Sequence, residues 1–296
     1  MKKHFLKYSF IVLVLLIVLI VFGFQDNPIF QLDNNGLSAE KSLAVDFLDV
    51  GQGDAIYIRT PDNVDVLIDG GPDNSILNEL GEVMPFWDKE IDLMILTHPH
   101  SDHVAGLVEV LRRYKVKKVL YTCVVHTAPD YLAWLKEIKD QKIPLEIVDK
   151  KSEIMIGSSV ELELLYPQKS FLNQRVENLN NSSIVAQLVY DETSFLFTGD
   201  AEREVEEELF SIDSIFLDSD VLKVGHHGSE SSSSLEFLSA VSPTLAVIQV
   251  GEGNSFNHPH GETLYSLKNL LTTVYRTDTQ GRISMISDGQ NVFVKN

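Results

Sequence analysis

Seven of the nine histidines of this chain fall in three short clusters, and the densest cluster has the composition of a metal-binding site. Residues 97–103 read Thr-His-Pro-His-Ser-Asp-His, which offers four ligand side chains: His98, His100, Asp102 and His103. Side chains two apart in an extended segment point the same way, so His98 and His100 can meet one cation. Asp102 and His103, at the turn into a helix, can project toward a second one. Imidazole and carboxylate ligands suit zinc, manganese or iron, whereas an N-cap role for Asp102 is the purely structural alternative.

Three further polar residue groups lie beside apolar runs, and each could extend this set of ligands. Asp200 in Phe-Thr-Gly-Asp ends an apolar run, and its carboxylate could bridge two metal ions. His226 and His227 follow another apolar run, and we expect at least one of them to bind metal. His258 stands in a second His-Pro-His sequence just before a helix, where it could bind metal or substrate.

A second set of polar residues is expected to support the centre or to touch substrate. Asp69 ends a strand and could orient a ligand histidine, with a turn role as the alternative. Asp49 and Asp54 flank two glycines, and we expect them to structure a loop near the site. Ser229 opens a serine-rich run that could offer hydroxyls and amides to a phosphate, or could cap a helix.

The elements that must position these residues alternate between short apolar strands and helices. We predict strands at residues 43–50, 55–59, 64–68, 93–97, 119–122, 145–148, 160–165, 183–190, 195–198, 221–224 and 245–250. We predict helices at residues 104–114, 131–140, 202–210, 235–241 and 262–271, and a C-terminal hairpin with an Asp-Gly turn at residues 283–294. Two β-rich sheets with interspersed helices imply a layered α/β sandwich in one domain, residues 43–296.

Composition excludes several classes of protein. The chain has 24 Lys+Arg against 43 Asp+Glu, a net charge of −19, so a phosphate-binding surface would have to be a local patch. The basic run at residues 112–118 is interpreted as a solvated helix end rather than a nucleic-acid surface. The single cysteine, Cys123, excludes an intramolecular disulfide framework and a multi-cysteine metal cluster.

Residues 1–25 are predicted to be a transmembrane anchor or a signal segment. Lys2, Lys3 and Lys7 precede 18 uncharged residues, 8–25, which is near the lower limit of a span of about 20 residues. No A-x-A-like cleavage site follows, which favours an uncleaved anchor over a cleaved signal. The positive flank stays inside, so we expect a single-pass protein with its catalytic domain outside the cell membrane, or a secreted one after cleavage. Residues 26–42 are predicted to be a polar linker.

The ordered series of motifs resembles the metallo-β-lactamase fold, and within it the metallohydrolase domain of ComEC-type competence proteins. The likeness runs over about residues 44–288. It rests mainly on Asp-Val-Gly-Gln-Gly-Asp at 49–54, the histidine motif at 98–103, Thr-Gly-Asp at 198–200 and Leu-Lys-Val-Gly-His-His-Gly-Ser at 222–229. The resemblance implies a four-layered αββα sandwich with two divalent metal ions, zinc or manganese, at its edge.

The resemblance also implies a distribution of ligands between the two metal ions. The first metal would take His98 and His100, and the second Asp102 and His103, with Asp200 as the bridge. Either His226 or His227 would complete the ligands of the second metal. Many members of the superfamily supply a third histidine to the first metal. This chain has two asparagines there, so the resemblance predicts a weakly bound first metal or a shell completed by Asn181 and water.

The leading hypothesis is a metal-dependent hydrolase, a phosphodiesterase or nuclease that acts on DNA at the outer face of the membrane. Two cations would activate a hydroxide, and the predicted catalytic residues are Asp102, Asp200 as proton acceptor, and His258 at the leaving oxygen. Two alternatives stay open, a hydrolase of a small ester, lactam or cyclic nucleotide and a catalytically silent surface binding protein. The predicted partners are DNA or another phosphodiester, and the membrane through the N-terminal helix; no obligate protein partner is inferred.

Overall fold

The structure is a computed structural model that describes residues 42–213 and 217–295. The predicted anchor at residues 1–25 and nearly all of the predicted linker at 26–42 lie outside these described residues. Among the residues that are described, no helix is both long enough and apolar enough to cross a bilayer.

Short strands and helices follow one another along the chain. The strands are β1 (Leu43–Phe47), β2 (Ile56–Arg59), β3 (Asp65–Ile68), β4 (Glu90–Ile91), β5 (Leu93–Ile95), β6 (Lys115–Val116), β7 (Val119–Tyr121), β8 (Leu145–Ile147), β9 (Ser152–Ile156), β10 (Val160–Tyr166), β11 (Val185–Tyr190), β12 (Thr193–Phe197), β13 (Val221–Lys223), β14 (Leu245–Ile248), β15 (Thr273–Arg276), β16 (Ile283–Ser287) and β17 (Val292–Lys295). The helices are α1 (Ser75–Val83), α2 (Ser101–Arg113), α3 (Pro129–Gln141), α4 (Arg203–Asp213), α5 (Leu235–Val241), α6 (Gly261–Asn269) and α7 (Thr277–Gln280). Two 3₁₀ turns, Asn180–Ser182 and Gly225–Gly228, complete the set.

The strands form two large sheets. One has eight strands in the order β17-β16-β1-β2-β3-β5-β7-β8, and the other has seven in the order β15-β14-β13-β12-β11-β10-β9. In the eight-stranded sheet β3, β5, β7 and β8 are parallel, and in the seven-stranded sheet β12, β13, β14 and β15 are parallel. Each sheet therefore has a row of strands whose carboxyl ends lie at the same edge.

The two sheets pack face to face through one shared core, which follows from the alternation of side chains along each strand. In β1, Leu43, Val45 and Phe47 are buried in this core, and the residues between them are only half-buried. In β12, Phe195 and Phe197 enter the same core. The rings of Phe47 and Phe197 lie 6.3 Å apart and tilted by 55° across the interface between the sheets.

Helices cover the outer face of each sheet. Leu80, Leu107 and Trp134 of α1, α2 and α3 are buried against the eight-stranded sheet. Val205 and Leu238 of α4 and α5, together with a leucine of α6, are buried against the seven-stranded sheet. The layers are therefore helix, sheet, sheet, helix, and the predicted αββα sandwich is confirmed.

The structure differs from the predicted elements mainly at short elements, at edge strands and at the ends of strands and helices. Helices α1 and α7 and strands β4, β6, β9 and β15 were not predicted. α7, β4 and β6 have four residues or fewer, α1 contains Gly81, and β9 and β15 are half-exposed edge strands. The predicted strand at 43–50 ends at Phe47. Helix α2 begins three residues earlier than predicted, so Asp102 and His103 lie in its first turn, and His100 is the N-cap instead of Asp102.

Candidate metal centre

The candidate centre lies where parallel strands of both sheets end. Asp69 follows β3, His98 follows β5 and Asp200 follows β12, while Lys223 is the last residue of β13. Ligand sites in α/β proteins commonly lie outside the carboxyl ends of parallel strands, because loops of several strands converge there. The backbone N–H of Ile184 donates to the Thr97 carbonyl at 3.1 Å, which joins the two sheets beside the centre.

Four predicted ligands form a compact group: Asp102, His103, Asp200 and His227. His103 Nε2 and His227 Nε2 lie 3.3 Å and 3.4 Å from the same oxygen, Oδ2 of Asp200. His227 Nε2 is also 3.3 Å from Oδ2 of Asp102, and His103 Nε2 is 4.0 Å from it. Two imidazole nitrogens and two carboxylates thus face one another, which is a donor set suited to a divalent transition metal.

The hydrogen bonding within this group supports metal binding. Among the described residues, the buried atoms His103 Nε2, His227 Nε2 and Asp200 Oδ1 have no hydrogen-bond partner. Buried polar atoms are nearly always paired, so orphaned nitrogens that converge on one point call for an explanation. A divalent cation would bind these lone pairs directly, and the residues present therefore fit one.

The donors predicted for the first metal are more loosely arranged. His98 Nε2 is 3.0 Å from His100 Nδ1 and 3.8 Å from Asp200 Oδ2. His226, predicted as the alternative to His227 at the second metal, has its Nε2 atom 4.0 Å from the same Asp200 oxygen. Asp200 Oδ2 is therefore within 4.0 Å of a nitrogen from each of the two predicted ligand sets, as a bridging carboxylate must be. Whether these residues hold one ion or two stays a prediction.

Each histidine of the compact group has a carboxylate beside Nδ1, the ring nitrogen that faces away from the other ligands. Asp69 Oδ2 accepts from His103 Nδ1 at 2.8 Å and from Thr97 Oγ1 at 2.6 Å. Asp54 Oδ1 lies 3.2 Å from His227 Nδ1, which also contacts the Gln249 carbonyl at 2.9 Å. A carboxylate or carbonyl at Nδ1 fixes the ring and directs Nε2 toward a metal. Asp69 contacts a predicted ligand histidine, as its predicted orienting role requires, and Asp54 contacts the centre more closely than a loop role requires.

Lys223 is a residue that the sequence analysis missed. Its side chain is only 1% exposed, and its ammonium pairs with Asp54, donates to the Gly199 carbonyl at 3.0 Å and lies 3.9 Å from Asp200 Oδ1. A lysine in an otherwise apolar strand was the available signal, since a fully buried lysine needs a partner. Lys223 balances part of the negative charge that the carboxylates bring into the interior.

The buried charges shift the pKa values of one another. Burial opposes the charged form of His103, but Asp200 and Asp69 outweigh it and raise the pKa of His103 well above its ordinary value. Burial acts on His227 in the same way, and Asp200 and Asp54 raise the pKa of His227 well above its ordinary value. Burial likewise opposes the charged form of Asp200, yet the two imidazoles hold the pKa of Asp200 well below its usual range. The metal-free centre is thus a network of ion pairs.

Two of the predicted residues, Asp49 and Asn181, do not face the group of histidines. Asp49 is exposed, and Oδ1 of its carboxylate accepts from the Gly51 N–H at 3.4 Å, so it orders its own loop and is not brought into the centre. Asn181 donates to Glu204 at 3.0 Å and accepts from the Glu202 N–H at 3.0 Å, which commits both ends of its amide outside the group of histidines.

Ser229 and His258 lie at the rim of the centre. Ser229 Oγ is 3.0 Å from Ser231 Oγ, which in turn is 3.1 Å from His226 Nδ1. The His258 ring lies 5.5 Å from the His226 ring and 6.4 Å from the His227 ring, centroid to centroid. Burial, together with the positive charge of neighbouring histidines, lowers the pKa of His258 to about 4.

The backbone at the centre takes conformations that few side chains allow. Gly199 has φ +52°, and a Cβ there would lie 3.0 Å from Thr97 Cβ. A Cβ on Gly53 would lie 2.2 Å from the Asp102 carbonyl oxygen. His226 and His227 both adopt left-handed φ, 46° and 53°, which is costly for non-glycine residues and is concentrated at functional sites.

Fold and site together define the class of protein, an αββα sandwich with a candidate metal centre at the strand ends. Residues 48–252 match the metallo-beta-lactamase superfamily. The chain belongs to this superfamily, and the superfamily together with the candidate metal-binding residues supports a metal-dependent hydrolase.

Several known proteins are similar to the chain. It is 32% identical over 256 residues to ComE operon protein 3 of Bacillus subtilis. The matched region covers 81% of this chain and 32% of that protein. It is 27% identical over 290 residues to Recombination protein 2 of Haemophilus influenzae, covering 95% and 32%. The predicted resemblance to ComEC-type metallohydrolases is thereby confirmed, although the chain spans only 32% of the length of these two curated relatives.

A solved structure supports the fold independently. CmlA, a diiron beta-hydroxylase from Streptomyces venezuelae, superposes with a TM-score of 0.53 at 14% identity, over 83% of this chain and 54% of that one. Identity at this level shows a shared fold alone, and a fold does not determine a reaction.

Proposed function

We propose that this protein is a metal-dependent phosphodiesterase that cleaves DNA at the outer face of a membrane. The observation that carries the proposal is the pair of buried, unpartnered nitrogens, His103 Nε2 and His227 Nε2, that face the carboxylate of Asp200. Divalent metal ions in such a donor set lower the pKa of a water nucleophile and polarise phosphoryl oxygens.

The protein side chains of the centre would then have separate tasks. Asp102, His103, Asp200 and His227 would hold one ion, and His98 and His100 the other, with Asp200 shared between them. His258 is uncharged at neutral pH because its pKa is lowered to about 4. A neutral imidazole beside the ligands can orient the leaving oxygen through a hydrogen bond, which is the part of the predicted role that this pKa favours.

The choice of DNA rests on the relatives. One of the matched proteins, Recombination protein 2 of Haemophilus influenzae, is named for recombination, a process that acts on DNA. The net charge of −19 opposes long-range attraction of a polyanion, so substrate binding would depend on the centre and its rim. The same charge favours the second candidate function, hydrolysis of a small ester, lactam or cyclic nucleotide by the same metal centre.

The test is hydrolysis by the purified full chain with added Mn²⁺ or Zn²⁺. The substrates are labelled single- and double-stranded DNA, a cyclic dinucleotide and a chromogenic lactam. We expect cleavage of DNA, and loss of at least 100-fold in rate, on the order of 3 kcal/mol, in Asp102→Asn and in His100→Ala because each removes a metal ligand.

Asp149→Asn is the matched control, since Asp149 is an exposed carboxylate outside the centre. Turnover of the lactam or the cyclic dinucleotide without cleavage of DNA would favour the second candidate. Stoichiometric metal binding without turnover of any substrate would indicate a binding protein. If His100→Ala is inactive while Asp102→Asn remains active, a mechanism with two metal ions is wrong.

The location is a separate part of the proposal. It rests on Lys2, Lys3 and Lys7 before the uncharged residues 8–25, a pattern that keeps the N-terminus inside. Protease added to intact cells that lack an outer barrier should then digest the catalytic domain. A domain that resists digestion until the cells are lysed would place it on the inner face.

A further inference from the structure

An exposed aromatic ring lies beside the metal centre and is not used by the chemistry described above. The side chain of Phe256 is 59% exposed, and its ring stacks on the His258 ring at 5.7 Å with an angle of 27° between the planes. His258 in turn lies 6.4 Å from the ligand His227, ring centre to ring centre. Phe256 is therefore two ring contacts away from the compact ligand group.

The loop between β14 and α6 is built so that it presents this ring. Asn254 Oδ1 accepts from the backbone N–H of Phe256 at 3.1 Å and of His258 at 3.0 Å. Asn254 Nδ2 donates to the carbonyl of His258 at 2.7 Å and of Gly251 at 3.0 Å. One side chain thus fixes the backbone on both sides of Asn257, and the positions of the two rings follow from it.

A single exposed aromatic residue is ordinary on a protein surface. The position of Phe256 is what distinguishes it, because the ring stands on a site histidine at the rim of the metal centre. Aromatic side chains bind unpaired nucleobases by stacking, since every base has a flat π-face. A nucleobase is joined to its phosphate through one sugar, so a phosphodiester at the metals places the adjacent base at the rim.

We propose that Phe256 is the stacking platform for an unpaired nucleobase next to the scissile phosphate, which makes single-stranded DNA the preferred substrate of this centre. The inference rests on the proposed phosphodiesterase function. In a duplex both faces of an internal base are covered by its neighbours, so the platform can act only on a single strand or at a frayed end. His258 supports the ring from beneath, and the exposed side of Phe256 receives the base.

The test is a double-mutant cycle between the ring and the base. Wild-type protein, Phe256→Ala and Phe256→Trp cleave a labelled single-stranded oligodeoxynucleotide and the same oligodeoxynucleotide with abasic residues around the cleavage site, in Mn²⁺. We expect Phe256→Ala to lower kcat/KM on the intact strand by about 5- to 150-fold, the effect of losing one stacked base. Phe256→Trp should retain activity, and Phe256→Ala should change cleavage of the abasic strand little.

The matched control is Phe86→Ala, because Phe86 is 82% exposed and precedes the N-terminal end of β5, whereas the centre follows its C-terminal end. An equal loss on intact and abasic strands, or a Phe256→Trp variant as impaired as Phe256→Ala, would overturn the base platform while the nuclease function stands. A wild-type protein that cleaves neither strand would overturn the proposed function and the platform with it.

Discussion

At the scale of single residues, the two nitrogens of each imidazole in the compact group have different partners. His103 Nδ1 contacts Asp69 at 2.8 Å and His227 Nδ1 contacts the Gln249 carbonyl at 2.9 Å, which leaves both Nε2 atoms to face Asp200. An acceptor at Nδ1 favours the tautomer with its proton there, so Nε2 is the nitrogen available to a metal. The centre is thus pre-organised by groups that do not themselves touch the ion.

The orienting role of Asp69 gives the first prediction. Asp69→Asn keeps the shape of the side chain but removes the carboxylate charge behind His103. We expect metal affinity to fall about 10- to 100-fold, the usual effect of losing such a partner. Competition against a metal-binding dye measures it, with Asp149→Asn as the control. Unchanged affinity in Asp69→Asn would show that the contact with His103 does not position a ligand.

The buried Lys223 gives the second prediction. Lys223→Met removes the ammonium that pairs with Asp54 and leaves that buried carboxylate with only the imidazoles of His227 and His103 beside it. The free energy of unfolding should fall by about 3–5 kcal/mol, as measured by urea denaturation of the metal-free protein. The double variant Lys223→Met/Asp54→Asn should lose less than the single variant, because no uncompensated charge remains. A loss that is larger in the double variant would contradict the ion-pair account.

The raised pKa values give the third prediction. Burial opposes protonation of His103 and His227, but their carboxylate neighbours raise both pKa values well above the ordinary value, which favours the doubly protonated ring of each in the metal-free centre. A divalent ion that binds Nε2 must displace the proton on that nitrogen. Metal affinity should therefore increase as pH rises through the neutral range. Calorimetric titration in buffers of different ionisation enthalpy should detect proton release, and binding without any release would refute the protonated state.

At the scale of elements, the sandwich supplies the rigidity that the centre needs. The predicted ligands lie in segments that follow β5, β12 and β13, which belong to two different sheets, so the distance between the sheets sets the distance between the ligands. Phe47 in β1 packs across this interface against Phe197 in β12, three residues before Asp200. Packing in the core between the sheets therefore affects the position of Asp200 in the site.

This connection gives the fourth prediction. Phe47→Ala should lower the free energy of unfolding by about 3–5 kcal/mol, since it removes a fully buried ring from the core between the sheets. Denaturant unfolding measures the change. Phe86→Ala is the comparison, because an exposed phenylalanine should change stability by about 0.5 kcal/mol or less. Similar values for the two variants would mean that the sheets do not pack as described.

The sequence predicts the buried strands around the site and misses two edge strands of the sheets and several short elements. The buried strands that hold the ligands show dense runs of Val, Ile and Leu, and the C-terminal hairpin was predicted from its Asp-Gly turn. The edge strands β9 and β15 are half-exposed, and neither was predicted. Edge strands form because a neighbour offers hydrogen bonds, which is a long-range property.

The same limit applies to the site. The histidines and Asp200 of the compact group could be identified as candidate ligands because their types and positions after strands are informative within a few residues. The contact of Lys223 with Asp54 joins residues that are distant in the chain, and neither residue alone indicates the other. The position of Asn181 could not be predicted from the sequence either, because it depends on hydrogen bonds of its amide with Glu202 and Glu204.

At the scale of the whole molecule, the centre exists only when both sheets are in place. The compact group takes Asp102 and His103 from the start of α2 and Asp200 and His227 from loops of the other sheet. No short segment of this chain can form that group alone. The fold and the binding of divalent ions are therefore coupled, and the ions should stabilise the folded state because they bind it more tightly than the unfolded chain.

The most direct test of this convergence is a count of the metal ions bound by the full chain. Equilibrium dialysis against Mn²⁺, followed by metal analysis of the protein, should give two ions per chain for the wild type. Asp200→Asn should retain at most one ion, since Asp200 contributes to both sets of ligands, and Asp149→Asn should retain two. A wild-type chain that binds no metal, or an Asp200→Asn variant that keeps both ions, would contradict the shared centre.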